Sequence, residues 1–210
     1  IIIITVMKKY IVEFIGTFFL VLTIALTGNP IAIGAILIAM IYMGGYISGA
    51  HYNPAVTLAV LIRGKINQIE AGRYMISQVI GGGFAAFVFL LVKGSTFTPT
   101  TGLQYSMLYI LLLEVLFTFA LASVVLHVAT SEKTAGNQYY GLAIGLTVMA
   151  GAFAAGPISG GVFNPAVALG PYLFKISALG NNLNNLILYL VGPLTGGALA
   201  GLVYNWINKK

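Results

Sequence analysis

The chain of 210 residues is 59% hydrophobic, 12% aromatic and 7% charged, whereas soluble domains carry about 25% charged residues. Too few ionic side chains are present to cover a water-exposed surface, which excludes an ordinary soluble enzyme. The net charge is +6, but the basic residues are scattered at the ends of apolar runs, which argues against a nucleic-acid partner. The chain has no Cys, two His and four carboxylates, so we expect no disulfide, metal site or cofactor.

Six apolar stretches approach or exceed the roughly 20 residues that a helix needs to cross a bilayer. They predict transmembrane helices over residues 10–27, 31–47, 71–92, 105–130, 139–156 and 183–206. Residues 1–6 precede a Met7-Lys8-Lys9 that resembles a natural start. We interpret them as a tag or an artefact and place a single domain over residues 7–210.

The basic residues predict the orientation of the chain in the membrane. If both termini are cytoplasmic, Lys93 and Lys175 face outward. The other eight then lie on the cytoplasmic side: Lys8, Lys9, Arg63, Lys65, Arg73, Lys133, Lys209 and Lys210. This distribution follows the positive-inside rule. We therefore expect a multi-pass protein of the cell membrane with both termini in the cytoplasm.

The chain contains an internal repeat. Residues 47–58 align with residues 158–169 at an offset of 111, with eight identities in twelve positions. Glu13 and Glu114 also stand near the start of the first span of each half, which sets the repeats at about 7–100 and 101–210. Because each half holds an odd number of spans, the second copy is inserted upside down. Inverted repeats place functional sites near the midplane, where the halves meet.

Each half holds one Asn-Pro-Ala motif, Asn53-Pro54-Ala55 in the first and Asn164-Pro165-Ala166 in the second. Asn favours the N-cap of a helix and Pro favours the first helical position, so each motif predicts a helix start. The apolar runs that follow, 54–61 and 165–174, extend roughly 12–15 Å at 1.5 Å per residue. Each is therefore a half-helix that crosses about half of a bilayer.

The chain leading into each motif is expected to enter the membrane as extended, Gly-containing backbone, residues 47–52 from one side and their copy from the other. Such backbone is tolerated at membrane depth only where it is buried in protein or lines a wet cavity. The N-termini of the two half-helices then meet at the centre. Their positive ends oppose a cation, while the Asn53 and Asn164 amides can donate to a neutral oxygen. This arrangement predicts a passage for small uncharged molecules.

These features resemble the aquaporin and aquaglyceroporin family, the major intrinsic proteins. The resemblance extends from Lys8 to Trp206 and includes both motifs, the Glu of the first and fourth spans, and the Gly-rich third and sixth spans. It implies an all-α membrane protein with six transmembrane helices plus two re-entrant half-helices in an inverted repeat. It also implies one pore per subunit and a homotetramer in the lipid bilayer.

By offset from each motif, the outer constriction of the family falls on Ile33, Ala152, Gly161 and Val167. Most members carry Arg at the position of Val167, and water-selective members usually carry His at Ala152 and an aromatic residue at Ile33. All four residues are apolar here and two are very small. We therefore expect a wider, less polar filter that passes solutes of glycerol or urea size. Glycerol-selective members place Asp where this chain has Ala168, so the resemblance does not assign it to that branch.

The motif and filter residues also have purely structural interpretations. Asn53 and Asn164 could cap their helices without touching a solute, although paired copies at the midplane favour a pore. The apolar filter residues could be ordinary packing residues, which are common in spans. The offset from the second motif favours a filter role for Val167.

Three polar residues at membrane depth have competing interpretations. Glu13 and Glu114 would suit the path of a proton-coupled transporter, but we favour a bracing role in which each carboxylate accepts hydrogen bonds from loop N–H groups. His51 adds a polar wall to the first loop. A fixed, hydrogen-bonded His51 is favoured over a titrating gate.

The sequence thus predicts a passive channel for water and small uncharged solutes, without enzymatic activity. The chief alternative is a proton-coupled secondary transporter of a small solute, built on the same inverted repeat. That alternative requires alternating access and a coupling group. A membrane enzyme is disfavoured because no nucleophile is paired with a base on one membrane face.

Overall fold

The computed structural model describes residues 2–102, 104–173 and 179–209, with side chains described except at 2–6 and 179–182. The α-helices in these ranges are α1 (Ile2–Thr27), α2 (Pro30–Ser48), α3 (Pro54–Ile62), α4 (Gln68–Lys93), α5 (Met107–Ala129), α6 (Tyr140–Ser159), α7 (Pro165–Leu169) and α8 (Leu179–Ile207). Two 3-10 turns cover Glu132–Thr134 and Gly170–Leu173. Six helices, α1, α2, α4, α5, α6 and α8, are long and apolar enough to cross a membrane. The six predicted spans are therefore confirmed.

Local capping sets the helix ends where they differ from the hydrophobic pattern. Helix α2 ends because Gly49 adopts a left-handed φ of 86°, a conformation that glycine tolerates at little cost. The segment that leads into the first motif is therefore 49–52, shorter than the predicted 47–52, and it is not extended as predicted, because Gly49, Ala50 and Tyr52 have positive φ values. Helix α5 begins directly after Ser106, whose side chain caps it, and so starts two residues later than predicted.

The two short helices differ in length. Helix α3 ends one residue beyond its predicted end, at Ile62. Helix α7 stops at Leu169 and continues as the 3-10 turn. Pro171 has no N–H for the next α-helical hydrogen bond, which accounts for the change. The predicted end of this half-helix, residue 174, lies outside the described residues.

The two halves of the chain repeat the same helix contacts. Helix α1 packs against α4 as α5 packs against α8, while α3 lies against α8 and α7 against α4. Glycines allow the short helices to approach the long ones closely. A Cβ added to Gly82 of α4 would lie 2.6 Å from the Ala166 oxygen, and one added to Gly197 of α8 would overlap the Ala55 oxygen. The Gly-rich spans therefore hold both motifs in place.

The bundle has two distinct ends. At the end where α1 begins and α8 finishes, which we call the terminal end, Lys9 pairs with Glu70 at 2.7 Å. At the opposite end, which we call the far end, the loop between α4 and α5 folds over the end of α6. There the Gly102 N–H donates to the Ile158 oxygen at 3.0 Å. This loop therefore covers part of the far end.

Candidate pore

Two stretches of non-helical backbone lead into the motifs at the start of α3 and α7, residues 49–52 and 160–163. Within them Ala50, Tyr52 and Phe163 have φ values of 51°, 49° and 47°, a left-handed region that non-glycine residues rarely occupy. Such a conformation persists only where surrounding contacts maintain it. The contacts around each loop are therefore the structural basis of the site.

Glu13 of α1 is fully buried and binds the first loop. Its Oε1 accepts hydrogen bonds from the Ser48 hydroxyl at 2.7 Å and the His51 N–H at 3.0 Å. Its Oε2 accepts from the Tyr52 N–H at 2.7 Å and from Gln78 Nε2 at 2.8 Å. Four donors thus surround the carboxylate, and charge-assisted bonds of this kind are strong.

Glu114 of α5 binds the second loop in the same way. It accepts from the Ser159 hydroxyl at 2.7 Å, the Val162 N–H at 3.1 Å and the Phe163 N–H at 2.7 Å. Both Glu13 and Glu114 are 0% exposed. The two halves of the chain therefore use one device, a buried carboxylate that binds two successive backbone N–H groups and one serine.

In both loops the backbone N–H groups are hydrogen-bonded within the protein, whereas most of the carbonyl groups are not. The other N–H groups of each loop donate to the end of the preceding helix, one to a main-chain oxygen and one to the hydroxyl of Ser48 or Ser159. The carbonyls of 49–51 and 160–162 accept no hydrogen bond from the described part of the chain. Each loop therefore keeps its donors occupied and leaves a row of acceptors available.

Asn53 and Asn164 join the two halves at the centre. Each Oδ1 caps its own helix, by accepting from the N–H two residues later at 2.8 and 2.9 Å. The Nδ2 of Asn53 donates to the Phe163 oxygen at 2.8 Å, and the Nδ2 of Asn164 donates to the Tyr52 oxygen at 2.9 Å. An amide nitrogen carries two hydrogens. One N–H of each asparagine therefore remains for another acceptor.

A cavity of about 490 Å³ extends from the far end past both asparagines. Its lining includes the four predicted constriction residues and the three central polar residues: Ile33, Ala152, Gly161, Val167, His51, Asn53 and Asn164. Beyond the asparagines the side chains of the wall are apolar apart from His51, and they include Val56, Ile41 and Ile144. The cavity thus brings together the motif asparagines and the filter positions, while Glu13 and Glu114 lie behind its wall, against the loops.

His51 is fixed in the wall of the cavity. Its Nδ1 lies 3.1 Å from Thr57 Oγ1, and its ring meets the edge of Tyr74 at a centroid distance of 5.1 Å. The positions that match His51 and Thr57 in the second half are Val162 and Ala168. The polar side chains are therefore on the terminal side of the asparagines, and the matching positions on the far side are apolar.

Two tyrosines at the site carry no motif signal of their own. Tyr74 donates to the Ser48 oxygen at 2.8 Å, and Tyr189 donates to the Ser159 oxygen at 2.7 Å. These tyrosines are 115 residues apart, whereas the motifs are 111 apart. An alignment at the motif offset therefore misses them. The serines fall among the identities of that alignment, which was the signal available for them.

The sequence profile of the family described as Major intrinsic protein matches residues 3–204. The chain belongs to this family. It is 33% identical to a probable NIP-type aquaporin of Nicotiana alata, over 99% of this chain and 80% of that protein. It is 34% identical to the aquaporin AqpM of Methanothermobacter thermautotrophicus, over 97% of this chain and 98% of that protein.

The fold is similar to that of the aquaglyceroporin from Plasmodium falciparum, with a TM-score of 0.79 over 95% of this chain and 96% of that one. The two sequences are 20% identical, so the likeness concerns the fold. As a major intrinsic protein the chain is a multi-pass integral membrane protein of a channel family, and it is not an enzyme.

Proposed function

We propose that the chain is a passive channel for water and for uncharged solutes up to the size of glycerol and urea. The observation that carries this proposal is the lining of the cavity at the outer constriction. Ile33, Ala152, Gly161 and Val167 all contribute to it, and none has a polar side chain. Val167 stands where most members of the family carry Arg. A constriction without that long cationic side chain is wider and less polar.

The two buried carboxylates support a channel over a proton-coupled transporter. A coupled transporter needs a group that exchanges protons with each side in turn while the protein changes conformation. Glu13 and Glu114 instead bind loop N–H groups and serines. Among the described residues, the cavity wall has no acidic side chain. The carboxylates are therefore suited to hold the loops rather than to carry protons.

The same wall opposes the passage of ions. It carries no Lys, Arg, Asp or Glu within the described ranges. An ion entering the constriction would lose water and gain only carbonyl oxygens, and at the centre a cation meets the amide N–H groups of Asn53 and Asn164. We therefore propose that Na⁺ is excluded while neutral molecules pass.

Two further features belong to this proposal. Both termini are cytoplasmic, because that orientation places most basic residues inside. Four copies form a homotetramer, as the family resemblance implies. Large apolar side chains on the outer helix faces, among them Tyr46 at 84% and Leu91 at 67% exposure, are suited to contact lipid or neighbouring copies.

The proposal is tested by stopped-flow light scattering on proteoliposomes that contain the purified protein. We expect water, glycerol and urea to move faster than in empty liposomes, at rates that rise linearly with the gradient. Collapsing a proton gradient with an ionophore should leave the rates unchanged. Saturable uptake that depends on the proton gradient would support the transporter, and rates equal to those of empty liposomes would contradict both.

A further inference from the structure

The outer constriction offers no free hydrogen-bond donor. The N–H groups of Ile33 and Val167 donate to the oxygens of Asn29 and Asn164, and the Gly161 N–H donates to the Ser159 hydroxyl at 3.1 Å. Ala152 lies inside α6, where its N–H belongs to the helix. Because the four constriction residues also lack polar side chains, a solute at this level finds no donor in the part of the chain that the structure describes.

Acceptors, in contrast, are available along the same path. The carbonyls of residues 160–162 accept no hydrogen bond from the described part of the chain. Gly160, Gly161 and Val162 all line the cavity. Pro157, inside α6, has no N–H, so the Phe153 carbonyl lacks its helical partner. Phe153 and Pro157 also line the cavity. A solute therefore meets several carbonyl oxygens before it reaches the asparagines.

Donors occur only on either side of this zone. Among the described lining residues, the side chains with an available N–H or O–H are Thr98 and Thr100 at the far end and the two asparagines at the centre. His51 lies beyond them, but its Nδ1 is bonded to Thr57 Oγ1, whose own hydrogen goes to the Asn53 oxygen. The hydroxyl of Tyr52 is occupied, because it donates to the Met40 oxygen at 2.8 Å. An oxygen on a solute is therefore unmatched throughout the constriction, whereas an N–H or O–H on a solute is matched.

We propose that the constriction selects among uncharged solutes of equal size by the number of N–H or O–H donors that they carry. This inference rests on the proposed channel function and adds a rule for its solutes: of two molecules of equal size, the one with more N–H or O–H donors passes faster. A donor that leaves water is received by the loop carbonyls. A solute without donors gains nothing from those carbonyls while its own oxygen stays unpaired.

Three isomers of one formula, C₃H₇NO, test the inference with size held nearly constant. Propionamide has two N–H groups, N-methylacetamide has one, and N,N-dimethylformamide has none, while each has one carbonyl oxygen. Channel-dependent permeability is the rate in proteoliposomes minus the rate in empty liposomes of the same lipid. We expect it to fall in that order, by about two- to tenfold for each N–H lost.

A matched pair of variants separates donor number from width. Val167→Asn and Val167→Leu introduce side chains of similar size and shape, but only asparagine adds N–H donors. We expect Val167→Leu to keep the order of the three isomers. Val167→Asn should keep that order as well and raise the permeability of all three isomers relative to Val167→Leu by about two- to tenfold, because the one carbonyl oxygen of each isomer then finds a donor at the constriction.

Water permeability measured in the same preparations keeps the two claims apart. Loss of all protein-dependent flux, water included, would contradict the channel function itself. Water flux combined with equal permeability of the three isomers, or with exclusion of all three, would overturn the donor-based selection alone. Permeabilities of the three isomers that are no higher in Val167→Asn than in Val167→Leu would also overturn it, because the constriction would then already supply a donor.

Discussion

Asn164 donates from Nδ2 to the main-chain oxygen of Tyr52 at 2.9 Å, and Asn53 donates to that of Phe163 at 2.8 Å. Each motif is thereby tied to the loop of the opposite half. The same loop residues receive their conformation from Glu13 and, in the second half, from its counterpart on α5. A change at either loop is therefore expected to reach both asparagines.

The Tyr52 ring fills a gap between α1 and α2 that glycine creates. An added Cβ on Gly16 would overlap this ring, and one on Gly44 would overlap the Tyr52 hydroxyl. We predict that Gly16→Ala lowers the free energy of unfolding by about 2 kcal/mol through overpacking. Tyr52→Leu should recover part of the loss in the Gly16→Ala background, with a coupling of about 1 kcal/mol or more. Unfolding of the four proteins in detergent measures the coupling, and simple additivity would contradict it.

Two glycines of α4 provide a matched pair. A Cβ on Gly82 would lie 2.6 Å from the Ala166 oxygen, whereas a Cβ on Gly72 would meet nothing within 4 Å. Gly72→Ala should therefore be neutral or stabilising by up to about 1 kcal/mol. Gly82→Ala should displace α7 and lower both thermal stability and water permeability. Equal behaviour of the two variants would show that the close approach of α4 to α7 is unimportant.

Replacing Glu114 by Gln removes the charge from three hydrogen bonds and leaves a side chain with one acceptor. We predict that the free energy of unfolding falls by about 2–4 kcal/mol. Size-exclusion chromatography of samples heated to a series of temperatures should show this loss as a lower unfolding temperature. Protein that still folds should keep its ratio of urea to water permeability. Glu132→Gln, at an exposed position, is the control. A stable Glu114→Gln with altered solute preference would argue for a role in transport.

Asn164→Asp places a carboxylate at the centre of the cavity while it preserves an oxygen to cap α7. The negative charge replaces the donors that oppose a cation, so we predict about a tenfold or greater rise in Na⁺ leak, with water flux retained. Asn208→Asp, at an exposed position near the end of the chain, makes the same change in net charge and should leave the leak unchanged. An unchanged leak in Asn164→Asp would place the ion barrier elsewhere.

Hydrophobic run length and the repeated motif were sufficient to predict the six spans and the two short helices. Both signals are local, since a bilayer fixes the length of a span and Asn-Pro fixes a helix start. The same local chemistry explains the errors in the boundaries. Gly49 ends α2 one residue later than the apolar pattern predicts, Ser106 delays the start of α5, and Pro171 shortens the second half-helix.

Contacts between distant segments were beyond the reach of the sequence. The match of the Tyr52 ring to Gly16, or of Tyr189 to the Ser159 oxygen, depends on how whole helices approach one another. The free donors and acceptors of the cavity are of the same kind. Whether the Gly161 N–H is available to a solute depends on the Ser159 hydroxyl beside it, which composition and spacing do not show.

The ratio of glycerol to water permeability, measured in one proteoliposome preparation, tests the apolar constriction most directly. We predict that the wild-type chain passes glycerol well above the level of empty liposomes. Val167→Arg should lower glycerol permeability by about tenfold or more and water permeability by less, because the long cationic side chain narrows the constriction. A wild-type chain that conducts water but excludes both glycerol and urea would contradict the wide, apolar constriction.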